Sequence, residues 1–334
     1  MTEKNEGNSL RRVCIYGAGA IGGWIGAALA QAGCSVSVVA RGATLDALRQ
    51  HGLRVQRGEQ VTAAPVAASD DPAALGEQDL VVIAVKAPAL AEVARRITPL
   101  LTPDTVVLTA MNGVPWWFLD GFGGQLAGTR LESVDPHGEI ARAIPASHVI
   151  GCVVHASCAL NGPGFVHHRF GNALIIGEPS GAVTPRVRRL AALLERAGIE
   201  ARIAEQIQKD CWYKLWGNMT VNPISLLTGA TTDLIMDDAL VRGYVSTMML
   251  EAREIGARIG VTIAERPEDR HQVTRKLGAF KTSMLQDVEA HRPVELDALV
   301  GAVQELGRLT GVATPAIDSL FGLSRLRARV LGLY

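Results

Sequence analysis

The sequence predicts an α/β chain in two parts, alternating strands and helices first and helices alone afterwards. Three observations predict it. Over residues 12–33 a short apolar strand runs directly into a glycine-rich turn and a small-residue helix. Near-continuous apolar runs at 79–87 and 105–113 read as strands that a parallel sheet buries on both faces. From about residue 207 onward, apolar residues recur at helical spacing with no convincing strand. The boundary is therefore placed so that residues 11–204 form the first domain and 205–334 the second. At 334 residues and 48% hydrophobic, the chain can bury a large core, as two domains require.

Composition narrows the function classes. Lys plus Arg equals Asp plus Glu at 33 each, which leaves no overall field to attract nucleic acid or an anionic membrane. No apolar run reaches the length of a membrane span, and the opening 1–12 lacks the apolar core of a signal peptide, so a cytoplasmic location is expected. The 5 cysteines form no CxxC pair and read as reduced core residues. The 8 histidines show no metal-ligand spacing, and no metal is expected.

In the first segment, Gly17, Gly19 and Gly22 have G-x-G-x-x-G spacing between strand and helix. In that context each glycine has a use: a tight turn, close approach of backbone to a pyrophosphate, and close helix-to-strand packing. Gly17, Ala18, Gly19, Ala20, Ile21 and Gly22 are thus the candidate cofactor-binding loop of a Rossmann-type dinucleotide-binding domain, with the phosphates on the helix N-terminus. The second strand ends in Arg41, where an NAD enzyme would place an acidic residue against the ribose. A guanidinium suits a 2′-phosphate instead, so the expected cofactor is NADPH.

A helix at 43–51 and a β-ribbon at 53–68 follow, then the strand that ends in Lys86. Lys86 stands at the edge where open α/β sheets bind ligands; it faces the cofactor or is simply exposed there. After a helix at 88–100, the next strand leads to Asn112-Gly113. Asn112 bonds a substrate or nicotinamide, or serves as a turn residue. The glycine-rich stretch 115–147 opens with Trp116 and Trp117 and reads as a lid or a poorly ordered loop, the tryptophans packing under it or lining a cleft. Strands at 148–157, 164–170 and 173–178 and a helix at 185–197 close the first domain.

The second domain opens on an unusual helix at 209–222. Lys214, Asn218 and Asn222 share one face at i, i+4 and i+8, between bulky residues such as Trp212, Trp216 and Met219. An ammonium flanked by two carboxamides can bind a carboxylate or carbonyl oxygen, and the lysine can deliver a proton to it. Asn222-Pro223 marks a kink. Further helices are expected at 236–259, 268–280, 293–310 and 315–330. Ser283 has no His/Asp partner pattern and reads as a hydrogen-bonding group. Glu295 is expected in a first helical turn with Pro293 at N1, where the dipole favours a carboxylate whatever its role.

Taken in order, GAGAIGG, VKA, MNG, GPGFVHHRFGN, K-L-x-x-N-x-x-x-N, SMLQD and RPVELDALVG resemble the ketopantoate reductase family over nearly the whole chain. The resemblance implies an N-terminal Rossmann domain and an all-helical C-terminal domain resembling that of 6-phosphogluconate-type dehydrogenases, with the active site in the cleft between. It implies NADPH-dependent reduction of 2-dehydropantoate to pantoate, with Lys214 as general acid and Glu295 holding substrate and lysine. Asn112, Asn218, Asn222 and Ser283 would bind the carboxylate and hydroxyls. Two departures are Ala89, where family members commonly carry glutamine, and a longer stretch after Gly113. These keep open a relative acting on a different 2-keto acid, a bulkier one in view of Trp116 and Trp117; a separate alternative is a non-catalytic NADP-binding sensor. A homodimer is the expected assembly.

Overall fold

The computed structural model describes residues 10–334; the opening stretch read above for a signal peptide lies largely outside them. The chain divides into two compact units. The first takes the described residues up to Val85, then Ala89–Met111 and Glu139–Ile207; the second takes Lys86–Pro88, Asn112–Gly138 and Gln208–Tyr334. Sequence alone assigned 86–88 and 112–138 to the first domain; in space these two short excursions pack with the helical portion.

The first unit is built on β1 (Arg12–Tyr16), α1 (Ala20–Gln31), β2 (Ser35–Val39), α2 (Gly42–His51), β3 (Leu53–Arg57), β4 (Gln60–Ala64) and β5 (Ala67–Ser69). It continues with β6 (Leu80–Ile83), α3 (Leu90–Arg96), β7 (Val106–Thr109), α4 (Glu139–Ala143), β8 (Val149–Leu160), β9 (Phe165–Gly177), α5 (Pro185–Arg196) and β10 (Glu200–Ile203). One sheet runs in the order β4-β3-β9-β8-β7-β6-β1-β2-β5, with β10 also on β9. From β5 through β8 every pairing is parallel, with the order reversing at β1 as in a doubly wound dinucleotide fold. β1, β6 and β7 are buried on both faces, which is why their sequences are apolar without alternation. β8 and β9 pair antiparallel, and β9 is long enough to pair β3 in parallel along its start and β10 in parallel along its end. The ribbon expected at 53–68 is β3 and β4, but 67–69 leaves it as β5 to join β2.

The second unit contains α6 (Ile207–Thr228), α7 (Thr232–Asp237), α8 (Ala239–Arg258), α9 (Pro267–Arg275), α10 (Ser283–Glu289), α11 (Ala302–Thr310) and α12 (Pro315–Val330). Its core gathers Trp212, Trp216, Met219, Met248, Leu299 and Leu306. α6 continues through Pro223 instead of stopping, and hydroxyl bonds from Thr220 to the Gly217 carbonyl (2.8 Å) and from Ser225 to the Asn222 carbonyl (2.7 Å) flank the proline. The single helix expected at 236–259 is broken by Asp238, whose carboxylate caps the Leu240 and Val241 N–H groups. The helix expected at 268–280 ends at Arg275, before Gly278 with its positive φ of 62°.

The stretch 293–310 departs most from expectation. Pro293, Val294 and Glu295 lie before the helix, and the chain enters it through a π-helical turn, Asp297–Gly301. A π turn displaces carbonyls from the regular ladder. Here the Ala298 carbonyl accepts the Val114 N–H at 2.8 Å. Gly113 makes that approach possible: its φ is +84°, and a Cβ there would sit 2.6 Å from the Ala298 oxygen. The stretch 115–147 is ordered as turns and short helices, with Trp116 and Trp117 buried and Phe118 in the helical core.

Candidate functional site

In the first unit the candidate site is a backbone cradle. Gly17 has φ +102°, and a Cβ on it would lie 2.7 Å from Val85 Cγ1 and 3.0 Å from the Ala84 oxygen. A Cβ on Gly22 would come within 2.1 Å of the Gly17 oxygen, so the helix can only begin this close to the turn without one. Gly19 differs: nothing lies within 4 Å of its Cβ position, which leaves open space at the N-cap of α1. α1 has no side-chain cap bond there and no acidic residue in its first turn. Donors at a 12-residue helix N-terminus with open space before them fit a dinucleotide pyrophosphate. Ala18, Ala20 and Ile21 complete the loop. Arg41, just beyond β2, is exposed, and its Nη1 donates to Glu92 Oε1 at 2.7 Å. That pair leaves the remaining guanidinium donors facing solvent.

In the second unit the site is made of side chains. Lys214 Nζ donates to Asn112 Oδ1 at 2.9 Å, joining residues 102 positions apart in the chain. Asn218 lies one turn further along α6, half-buried, and buried Asn222 reaches Ser283 Oγ at 3.5 Å with its Nδ2. Thr282, next to Ser283, bonds Ser225 at 2.5 Å and accepts the Leu285 N–H, which fixes the start of α10 against α6. The polar stripe read from the sequence thus exists as a physical row, and it collects Asn112 and Ser283 from distant segments.

A second polar knot surrounds Glu295, which is 4% exposed. Its Oε1 accepts the Ala87 N–H at 3.0 Å and its Oε2 accepts Lys86 Nζ at 3.3 Å. Lys86 also donates to Asp287 Oδ2 at 2.7 Å, and Arg292 Nε lies 3.2 Å from Asp287 Oδ1. Burial alone would push the Lys86 pKa down, but the Glu295 and Asp287 carboxylates outweigh it and hold the ammonium above the ordinary lysine value. Burying two carboxylates is costly, and the Lys86 and Arg292 cations offset that cost. Sequence reasoning quoted the SMLQD motif yet overlooked its Asp287; the signal was an acid four residues after Ser283, on the same face of one helix. Among the described residues, no group of three or more metal-ligating side chains occurs, and no helix is long and apolar enough to cross a membrane.

Comparison with known proteins adds a family. Residues 13–181 match the model described as ketopantoate reductase PanE/ApbA, and residues 206–328 match its C-terminal counterpart. A 2-dehydropantoate 2-reductase from Mesorhizobium japonicum is 46% identical over 97% of this chain and 99% of its own. A solved structure from Ralstonia solanacearum MolK2, assigned as a ketopantoate reductase, is 56% identical with a TM-score of 0.94, covering 98% of this chain and 100% of its own. The 2-dehydropantoate 2-reductase of Geobacter metallireducens GS-15 superimposes with a TM-score of 0.81 at 28% identity, covering 94% and 99%.

Proposed function

The chain belongs to the ketopantoate reductase PanE/ApbA family, and we propose that it reduces 2-dehydropantoate to pantoate, a step toward pantothenate and coenzyme A, using NADPH. The observation that carries this reading is the Lys214–Asn112 bond in a half-buried polar row. It holds an ammonium in one orientation where a carbonyl oxygen can meet it.

The first unit is the cofactor domain and the second the substrate domain. When bound, NADPH supplies the hydride. The backbone of Gly17 through Gly22 holds the pyrophosphate, and Arg41 takes the 2′-phosphate with the donors that Glu92 leaves unused. As the ketone carbon is reduced, negative charge grows on its oxygen. Lys214 stabilises that charge and gives it a proton, and the Asn112 oxygen keeps the lysine aimed. Asn218, Asn222 and Ser283 supply amide and hydroxyl donors for the substrate's carboxylate and hydroxyl. Glu295 orients the substrate hydroxyl and, with Asp287, anchors Lys86 beside the site. In this reading Asn112 and Lys86 serve the cofactor as well as the substrate.

Trp116 and Trp117 are buried, so they expose little surface that a bulkier substrate would meet. The same reading carries a cytoplasmic homodimer, for which sedimentation velocity gives twice the chain mass. The deciding experiment follows NADPH absorbance with purified protein and a panel of 2-keto acids. Ketopantoate is turned over fastest, and Lys214→Ala lowers that turnover by about 10²- to 10⁴-fold while still binding NADPH. A faster reaction on another 2-keto acid would move the substrate; full activity in Lys214→Ala would remove the proton donor.

A further inference from the structure

Glu295 stands in a stretch that no regular ladder holds. Residues 292–295 lie outside helix and strand, and the π turn Asp297–Gly301 opens the helix that follows. In such a stretch the tertiary bonds made by the backbone and its neighbours decide where a side chain is carried. Two of these bonds come from the short segment after α12. The Val294 N–H, one residue before Glu295, donates to the Leu333 carbonyl at 3.0 Å. The Tyr334 hydroxyl donates to Asp297 Oδ1, two residues after Glu295, at 2.7 Å. Leu333 is buried in the helical core, and the Arg329 guanidinium lies 5.2 Å from the Tyr334 ring centroid. The 333–334 segment is therefore itself fixed, and it brackets Glu295 on both sides.

The other side of the π turn has its own tie. The Ala298 carbonyl accepts the Val114 N–H at 2.8 Å, so the segment that carries Asn112 is held without Tyr334. Tyr334 is 46% exposed, and its ring adds little to the core; its hydroxyl is what reaches inward. Burial and the Asp297 carboxylate push that hydroxyl's pKa up to about 12, so it stays a donor through the neutral range. We propose that Tyr334 is a positioning residue for the reduction: its bond to Asp297, with the Leu333–Val294 bond, clamps the segment bearing Glu295 and so sets the grip on the substrate's hydroxyl. This inference rests on the reading of Glu295 as the group that orients that hydroxyl.

The test compares two substrates, ketopantoate and trimethylpyruvate, which is ketopantoate with a hydrogen in place of its hydroxyl. Tyr334→Phe raises the KM for ketopantoate about 3- to 10-fold, the worth of one lost hydrogen bond, and changes kcat less than about 3-fold. The KM for trimethylpyruvate stays within about 2-fold of the wild-type value, because that substrate has no hydroxyl for Glu295 to hold. Asp297→Ala reproduces the effect, and adding Tyr334→Phe to it changes little more, since both remove one bond. Asp297→Asn, which keeps an oxygen acceptor, stays near wild type. The control is Tyr244→Phe, which deletes another tyrosine bond of 2.7 Å, to the Ala316 carbonyl on α12; it lowers the melting temperature without moving the ratio of the two KM values. Equal KM changes for both substrates in Tyr334→Phe, additive effects in the double variant, or the same ratio shift in Tyr244→Phe overturn the proposal. Absence of wild-type turnover of ketopantoate counts against the proposed reaction alone. Amide hydrogen exchange then reads the clamp: Tyr334→Phe exchanges faster than wild type across 293–301 and equally along α8, and unchanged exchange across 293–301 overturns it.

Discussion

The cradle at Gly17–Gly22 and the row along α6 are sites made from opposite materials. The first works by lacking side chains: a Cβ on Gly22 would meet the Gly17 oxygen at 2.1 Å, whereas Gly19 opens onto empty space. The second works by what its side chains reach, from Lys214 to Asn112 and from Asn222 to Ser283. A backbone site is local and written as a spacing within six residues. A side-chain site is assembled from segments 102 and 61 residues apart, and each member depends on its partners.

The sharpest way to break this comparison is to remove one side chain from the row. Lys214→Ala should lower kcat by about 10²- to 10⁴-fold, the usual worth of a positioned proton donor, and leave the NADPH dissociation constant unchanged. A loss of NADPH affinity equal to the loss of turnover would mean that the two sites are not separable in this way. Next in size is the pair of glycine variants. Gly22→Ala should cost about 3 kcal/mol of stability from forced backbone contact, read by urea unfolding. Gly19→Ala should fold as well as the wild-type protein, within about 1 kcal/mol, yet bind NADPH at least about 10-fold more weakly by crowding the phosphate. Equal stability losses in the two variants would contradict their different surroundings.

The same distinction explains what the sequence made legible. The parallel sheet, the glycine cradle and the polar row were visible because each is a periodic or short-range pattern. Asp287 was legible only as an acid one turn after Ser283; its meeting with Lys86, 201 residues away, was not, because nothing local indicates it. The break at Asp238 was missed because apolar periodicity resumes on both sides of a single capping residue. Pro293 looked like a helix start, but the Val294 N–H bonds the Leu333 carbonyl and the helix waits for the π turn. Tertiary bonds overrode the local signal there. The 112–138 segment joined the helical unit for a related reason: Phe118, Leu119 and Leu131 belong to the core of Trp212 and Trp216, which no short window of sequence contains.

Smaller effects probe the cradle's rim. Arg41→Ala should raise the KM for NADPH about 10-fold and leave that for NADH nearly unchanged, since only the former carries the phosphate. Glu92→Ala should move the same ratio by less than about 3-fold, because the exposed Arg41–Glu92 pair is screened by water. Equal effects on both cofactors in Arg41→Ala would make Arg41 a surface residue.

The smallest effect concerns how β1 is held at its start. Asp79 Oδ2 accepts the Arg11 and Arg12 N–H groups at 2.9 and 2.8 Å. Burial alone would raise its pKa, but those two N–H bonds and the Arg12 guanidinium outweigh it and hold the carboxyl below its ordinary value. A depressed folded-state pKa stabilises the fold above the unfolded value of about 3.9 and loses that contribution as pH falls through the folded value. Solvent around the pair keeps the contribution to about 1 kcal/mol. Asp79→Asn should therefore be less stable than wild type by about that amount at pH near 7, with the gap closing below pH about 3. Urea unfolding at the two pH values measures it, and a gap that persists in acid would mean that shape, not charge, is what Asp79 contributes to the start of β1.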